Sequence, residues 1–428
     1  MTVTDIRHLR HAVRPHRKVA QGGLAVAWPL ALLTLSLFVP EQFYVDVGSF
    51  RLTAYRVVLF LVFPSIVARL LGGSFRLKAY DLAIFLLGAW MIVAMSVNHG
   101  IGQGLESGGI LAFEAIAGYL AARLCLTNRG EVVLFVRFLL LCLCLAAVVL
   151  LIEIAAGRRL VHELSFLLSG NTAGVGIGAH ARFGLVRVSG PFAHPIHAGV
   201  FMTVILSFAW LTAGQPARRL FQTGLLAAGT LATLSSAPLI GGLLQAGLIA
   251  YHQICRRMGV RKAWALFFLL IGALMLFLEF ASNRGALSFM ATLLALDPQT
   301  AYYRMLIWTY GVENVLASPV FGIGWAEWSR ASWMGSTVDA FWLLIAMLFG
   351  LPAVALLSFV VIDIFRRIVQ ARSLLDETGR SYALALLVSL FTLIVVGFTV
   401  HYWGATYILF FMILGLGGSF AAGVFDRR

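Results

Sequence analysis

The chain has 428 residues, of which 61% are hydrophobic and only 12% charged, about half the charged share of a water-soluble domain. That composition excludes a soluble enzyme and predicts a single polytopic membrane domain over 1–428. The formal net charge of +14 is scattered in short clusters without a nucleic-acid motif, so no nucleic-acid partner is expected and the clusters read as orientation signals beside spans.

The N-terminal stretch MTVTDIRHLRHAVRPHRK is basic, and the apolar run from Leu24 ends in VPEQF without a small-residue cleavage site. This predicts an uncleaved first span. Apolar runs then predict an all-α integral membrane fold of about twelve transmembrane helices. They lie near 24–40, 52–71, 80–97, 108–126, 132–156, 195–213, 219–235, 237–255, 262–280, 338–365, 381–400 and 403–424. With the N-terminus inside, every inside loop is basic, from Arg69, Arg76 and Lys78 through Arg218 and Arg219 to Arg366, Arg367, Arg372 and Arg380. The topology is therefore N-in, C-in. Cys125, Cys142, Cys144 and Cys255 lie in or beside apolar runs and predict neither a disulfide nor a metal site.

Two segments assigned to the outside are long, about 157–194 and 281–338. The second contains AYYRMLIWTYGVENVL, with Met305, Trp308, Val312 and Val315 at helical spacing, followed by the turn-rich SPVFGIGW. This predicts a short interfacial helix at the outer membrane face. The outside segments also hold Arg182, Arg187, Arg284 and Arg304, contrary to the usual placement of basic residues inside. A basic pocket there suits a diphosphate, because guanidinium is a permanently charged planar fork that matches phosphate oxygens.

The stretch RVSGPFAHPIHAGVF joins the first long segment to span six. Arg187 precedes a Gly190-Pro191 turn, and Pro195 can open the helix, where its missing N–H costs nothing. The free N–H groups and dipole of that helix start favour an anion. His194 and His197 can share a helix face but lack a third ligand, so no zinc is expected. The sequence has no D-x-D carboxylate pair to hold Mg²⁺. No metal and no cofactor are expected. Asp339, where span ten begins, is a candidate general base, or else a helix cap beside Thr337. His194 is the reserve base.

Three segments in order carry a family resemblance. RVSGPFAHPIHAGVF resembles R-x-S/T-G-x-F-x-x-P-x-x-x-G/A. YYRMLIWTYGVENVLASPVFGIGW resembles R-x-x-x-W … P-x-x-G-x-G. STVDAFWLLIAMLFGLPA resembles H-N-x-x-L-x-x-x-x-x-x-G, with Asp339 at the histidine position. The chain thus resembles the O-antigen ligase and O-antigen/exopolysaccharide polymerase superfamily of bacterial inner-membrane glycosyltransferases. One departure is the turn LSSAPLI, where the family often has arginine and this chain has Ser235 and Ser236. The resemblance implies a multi-pass inner-membrane enzyme with its active site facing the periplasm. Its donor would be an undecaprenyl-diphosphate-linked oligosaccharide, and the reaction a metal-independent glycosyl transfer. A polymerase would use another lipid-linked repeat unit as acceptor, with a chain-length regulator as accessory partner. A ligase would use lipid A-core. In either, Arg187 and Arg304, then Arg284 and Arg182, would bind the diphosphate, with Asp339 and His194 as catalytic candidates. A transporter or flippase is the more distant alternative. It would place acids near the bilayer midplane, whereas Asp81, Glu153, Glu279 and Asp363 fall near predicted span ends and only Glu114 falls within one.

Overall fold

The computed structural model describes residues 24–48, 50–72, 75–172, 181–260, 263–281 and 298–425. Its helices are α1 Leu24–Ser36, α2 Ala54–Leu71, α3 Ala79–His99, α4 Ile101–Cys125, α5 Arg129–Ala156, α6 Leu160–Ser169, α7 Pro195–Thr212, α8 Pro216–Ala232, α9 Ser236–Arg257, α10 Ala263–Ala281, α11 Pro298–Ala317, α12 Phe341–Ala371, α13 Glu377–Val396 and α14 Ala405–Ala421. A helix occupies each of the twelve predicted spans. Among the described residues, α2, α3, α4, α5, α7, α10, α12 and α13 are long and apolar enough to cross a membrane. The chain is therefore an all-α protein of the multi-pass membrane type, with the predicted helix of the second long segment present as α11.

Two elements were not predicted. Strands Tyr44–Val47 and Phe50–Thr53 form an antiparallel hairpin, with Tyr44 opposite Thr53. The run VDVGSFRL alternates as a strand does, but it lies against the start of a longer apolar run that masks the period. The second is α6 in the first long segment. It buries His162 and Ser165 and exposes Leu164, Leu167 and Leu168, an amphipathic face suited to a headgroup layer.

Helix packing relies on small residues, since lipid tails supply no hydrophobic drive between helices. A side chain at Gly415 on α14 would overlap the Tyr119 carbonyl of α4, and one at Gly118 would crowd Ile408. Two acids inside the bundle, Asp81 and Glu114, are paired with arginines. Asp81 accepts from Tyr119 Oη at 2.6 Å, from Arg123 Nε at 3.0 Å and from the Lys78 backbone at 2.9 Å. Glu114, the acid predicted inside a span, accepts from Arg56 Nε at 2.6 Å. Its buried charge is thereby neutralised within the fold.

Two helices are broken, and other residues satisfy the freed backbone groups. At Ile205 in α7, Gln245 bridges the gap, donating to Thr203 O at 2.7 Å and accepting from Ser207 N at 2.9 Å. At Gly350 in α12 (φ 77) the helix is interrupted, and the SPVFGIGW segment packs into the gap. Ile323 N donates to Met347 O at 2.7 Å, Leu351 N to Pro319 O at 2.8 Å, and Trp90 Nε1 to Phe349 O at 2.8 Å. A side chain at Gly350 would overlap Val320 O.

Candidate functional site

One end of the bundle collects the described residues between α5 and α7, the α8–α9 turn, α11, the start of α12 and the loop 397–404. The first of these is fixed by buried polar contacts. Glu153, at the end of α5, accepts the N–H groups of Val161 at 2.9 Å and Gly190 at 2.8 Å. Arg159 donates through Nε to Ser189 Oγ at 3.0 Å. The Gln42 side-chain amide meets His162 Nδ1 at 2.7 Å, and His162 Nε2 lies 2.9 Å from Phe192 O, 2.9 Å from Ser189 Oγ and 3.0 Å from Arg159 Nη2. Burial and the charge of Arg159 push His162 down to about 4. These bonds hold the Ser-Gly-Pro-Phe turn, with Gly190 at φ 54, against α5 and α6.

That frame aims two arginines at the α8–α9 turn. Arg182 Nη1 donates to Leu234 O at 2.9 Å, and Arg187 Nη2 donates to Ser235 Oγ at 3.0 Å. Both acceptors lie in LSSAPLI, the turn that carries no arginine of its own. The bends are tight: Phe183 and Leu234 hold φ of 55 and 49, values that side chains other than glycine seldom adopt. Among the described residues neither Arg182 nor Arg187 forms an ion pair with a carboxylate, and the buried Arg187 Nε has no hydrogen-bond partner. Burial, with the charges of Arg182 and Arg159, lowers Arg187 to about 10, so it remains a cation at neutral pH.

Arg304 comes from α11 and is 6% exposed. Its helix is anchored one turn on, where Trp308 Nε1 donates to Phe398 O at 2.9 Å and the ring stacks on Phe398. Burial lowers Arg304 to about 10, opposed by nearby Asp339 and reinforced by Arg182. The Asp339 residue is exposed, but the protein packed around its carboxyl raises it above the ordinary range, while Arg304 pulls it back. Asp339 is not the cap of α12: the N-cap position is Ala340, and no side chain caps the helix. Its place is fixed two residues on, where Phe341 N donates to Gly397 O at 2.8 Å and to Val400 O at 3.1 Å.

His194 caps α7, its Nδ1 accepting Ile196 N–H at 3.0 Å, with Pro195 at the first helical position as predicted. Burial, then Arg187 and Arg159, depress it to about 3. The ring is neutral, and its proton must lie on Nε2. His197 turns away, donating to His401 O at 3.1 Å and packing on Trp403 with ring centroids 3.6 Å apart. Among the described residues, no group of three or more His, Cys, Asp or Glu could hold a metal ion.

Arg182, Arg187, Arg304 and Asp339 thus form one electrostatic cluster, with His194 beside Arg187. Arg284 lies outside the described residues. Sequence reasoning missed Arg159 as the frame residue, Ser235 as an arginine partner, and the loop containing HYWG at 401–404. Two aromatic residues and a histidine between the last two apolar runs were the available signal for that loop. The chain matches no family model and no curated protein.

Proposed function

We propose that the chain is a bacterial inner-membrane glycosyltransferase. Twelve helices cross the membrane with both termini in the cytoplasm. The Arg187 end faces the periplasm, where nucleotide-linked sugars are absent and a donor must be carried by lipid. The chain polymerises undecaprenyl-diphosphate-linked repeat units of a surface polysaccharide. The observation that carries this reading is the electrostatic chain that joins Arg187 to Arg182, Arg182 to Arg304 and Arg304 to Asp339, residues from distant parts of the sequence. Guanidinium groups that burial and a neighbouring arginine depress, as at Arg187 and Arg304, are relieved by an anion, and a diphosphate leaving group supplies one.

Asp339 takes the proton of the acceptor hydroxyl as its oxygen attacks the anomeric carbon. The bond from that carbon to the diphosphate oxygen breaks, and the arginines stabilise the charge that appears there. His194 cannot be the base while Nδ1 caps α7. Its Nε2–H donates, and so helps to hold the donor or acceptor. No metal is required, because arginines provide the positive charge.

The test uses the full chain in proteoliposomes with an undecaprenyl-diphosphate-linked repeat unit, and follows polymer length by gel. Wild-type chain should lengthen the glycan in the presence of a chelator. The double variant Arg187→Ala/Arg304→Ala, correctly folded, should not. Polymer from that variant at the wild-type rate would remove the arginine cluster from the reaction.

A further inference from the structure

A large cavity among the described residues lies at the opposite end of the bundle and takes no part in the proposed transfer. It is a cleft of about 920 Å³ between α9, α10 and α13. Its walls are apolar, with Trp264 and Phe267 from α10 facing Leu384 and Phe391 from α13. Arg256, Arg372 and Arg380 line it as well. Each lies at the end of its helix or just beyond, so the cations gather at one mouth.

This mouth has an excess of positive charge. Among the described residues, none of the three arginines has a carboxylate within ion-pair distance. Arg372 meets instead the imidazole of His252, Nη2 to Nε2 at 3.0 Å. Glu377 is the one acid in the lining. Trp264 Nε1–H is buried, with no acceptor among the described residues. The cleft is also open sideways. Among the described residues of α10 only Ala263 is buried, and Phe268, Leu269 and Phe277 are exposed.

We propose that this cleft is a binding site for an anionic phospholipid. Its phosphate lies on Arg256, Arg372 and Arg380, and its acyl chains lie between α10 and α13. Three features select this occupant. The site pairs a cationic mouth with a long apolar wall, so it matches an amphiphile with an anionic head. A free phosphate would leave the wall unfilled. A second protein helix would cover the wall and leave the arginines without an anion. Near its start α10 meets the bundle, with Trp264 and Phe267 packed on Leu248, Leu384 and Val388 and with Phe268 against the Phe391 ring; the acyl chains fill the gap that remains beside these contacts. The inference does not rest on the transferase reading.

The experiment is native mass spectrometry of the purified full-length chain in detergent. Dioleoylphosphatidylglycerol or dioleoylphosphatidylcholine is added, and retained lipid is counted. Phosphatidylglycerol should be retained in preference by at least about tenfold, the worth of one good charged contact. The triple variant Arg256→Gln/Arg372→Gln/Arg380→Gln should lose that preference, and the corresponding triple lysine variant should keep most of it. Equal retention of the two lipids by the wild-type chain would overturn the proposal without any variant. So would an undiminished preference in the glutamine variant, or suppression of lipid binding by an equal concentration of inorganic phosphate.

Discussion

Arg187 Nη2 donates to Ser235 Oγ at 3.0 Å, while the buried Nε of the same guanidinium is left without a partner. One edge of the group is anchored in the α8–α9 turn and another is spare. Lysine keeps the charge but loses this geometry. Arg187→Lys and Arg187→Ala should each slow polymer formation, the alanine by roughly a hundredfold, in line with removal of one electrostatic contact to a leaving group. Ser235→Ala should give a smaller loss, because it frees the guanidinium without removing it. Initial rates in proteoliposomes, beside size-exclusion profiles, check this. Full activity in Arg187→Ala would sink the assignment.

Asp339 and Arg304 should be linked through pH. Burial raises the Asp339 carboxyl and Arg304 lowers it. A base works only when deprotonated, so the rate should fall as pH falls through the Asp339 pKa. Arg304→Gln removes the lowering influence, so the acid limb should move to higher pH, whereas Arg304→Lys should leave it nearly in place. Asp339→Asn should abolish turnover at every pH. A folded Asp339→Asn variant with the wild-type rate would assign the base elsewhere.

The His162 frame should make stability sensitive to acid. Its folded pKa is about 4, against roughly 6.5 when unfolded. Between these values the unfolded chain binds more protons, so stability is complete above pH 6.5 and declines as pH falls towards 4. The full effect is about 3 kcal/mol. Thermal melts of His162→Gln should be lower at neutral pH but flatter across this window. An equally steep fall in the variant would exclude His162 as the source.

Close approach of α4 and α14 should tolerate no bulk at Gly415. Gly415→Val would push into the Tyr119 carbonyl, with a cost of about 1–3 kcal/mol. Gly272 has nothing within contact distance of an added Cβ, and Gly272→Ala should be neutral. Thermal unfolding of the two variants in detergent compares them directly.

Orientation has its own measurement. In a cysteine-free background, an impermeant maleimide added to intact spheroplasts should label Gly335→Cys and not Arg218→Cys. Labelling in the reverse pattern would invert the topology.

The helices were legible because runs of apolar residues with basic ends leave little choice in a bilayer. The arginines were legible for the complementary reason: charge in a greasy chain stands out. What could not be read was who meets whom. Arg182 and Leu234, or Trp308 and Phe398, are joined only by tertiary packing, and nothing local in either segment names the other. The Tyr44–Thr53 hairpin was hidden by the adjoining apolar run, and α6 by its shortness. The alternative that Asp339 caps span ten failed on a one-residue question, since Ala340 occupies the cap position. Helix ends are the least certain part of any pattern reading.

The interruption at Gly350 gives α12 a rotational decoupling. In an unbroken helix, inserting one residue turns everything beyond it by about 100°, and the disturbance travels to both ends. Here the first half of α12 is held from the side, by Ile323 on Met347 O and Trp90 on Phe349 O. The angular setting of Asp339 therefore does not depend on the half that runs on to Arg372. An alanine inserted after Ala353 should rotate the distal half against α3 and α14 and lower overall stability. In the chains that still fold, Asp339 should keep its orientation and the activity its pH profile. The two halves can thus be tuned separately, one for the setting of Asp339 and the other for the fit between neighbouring helices.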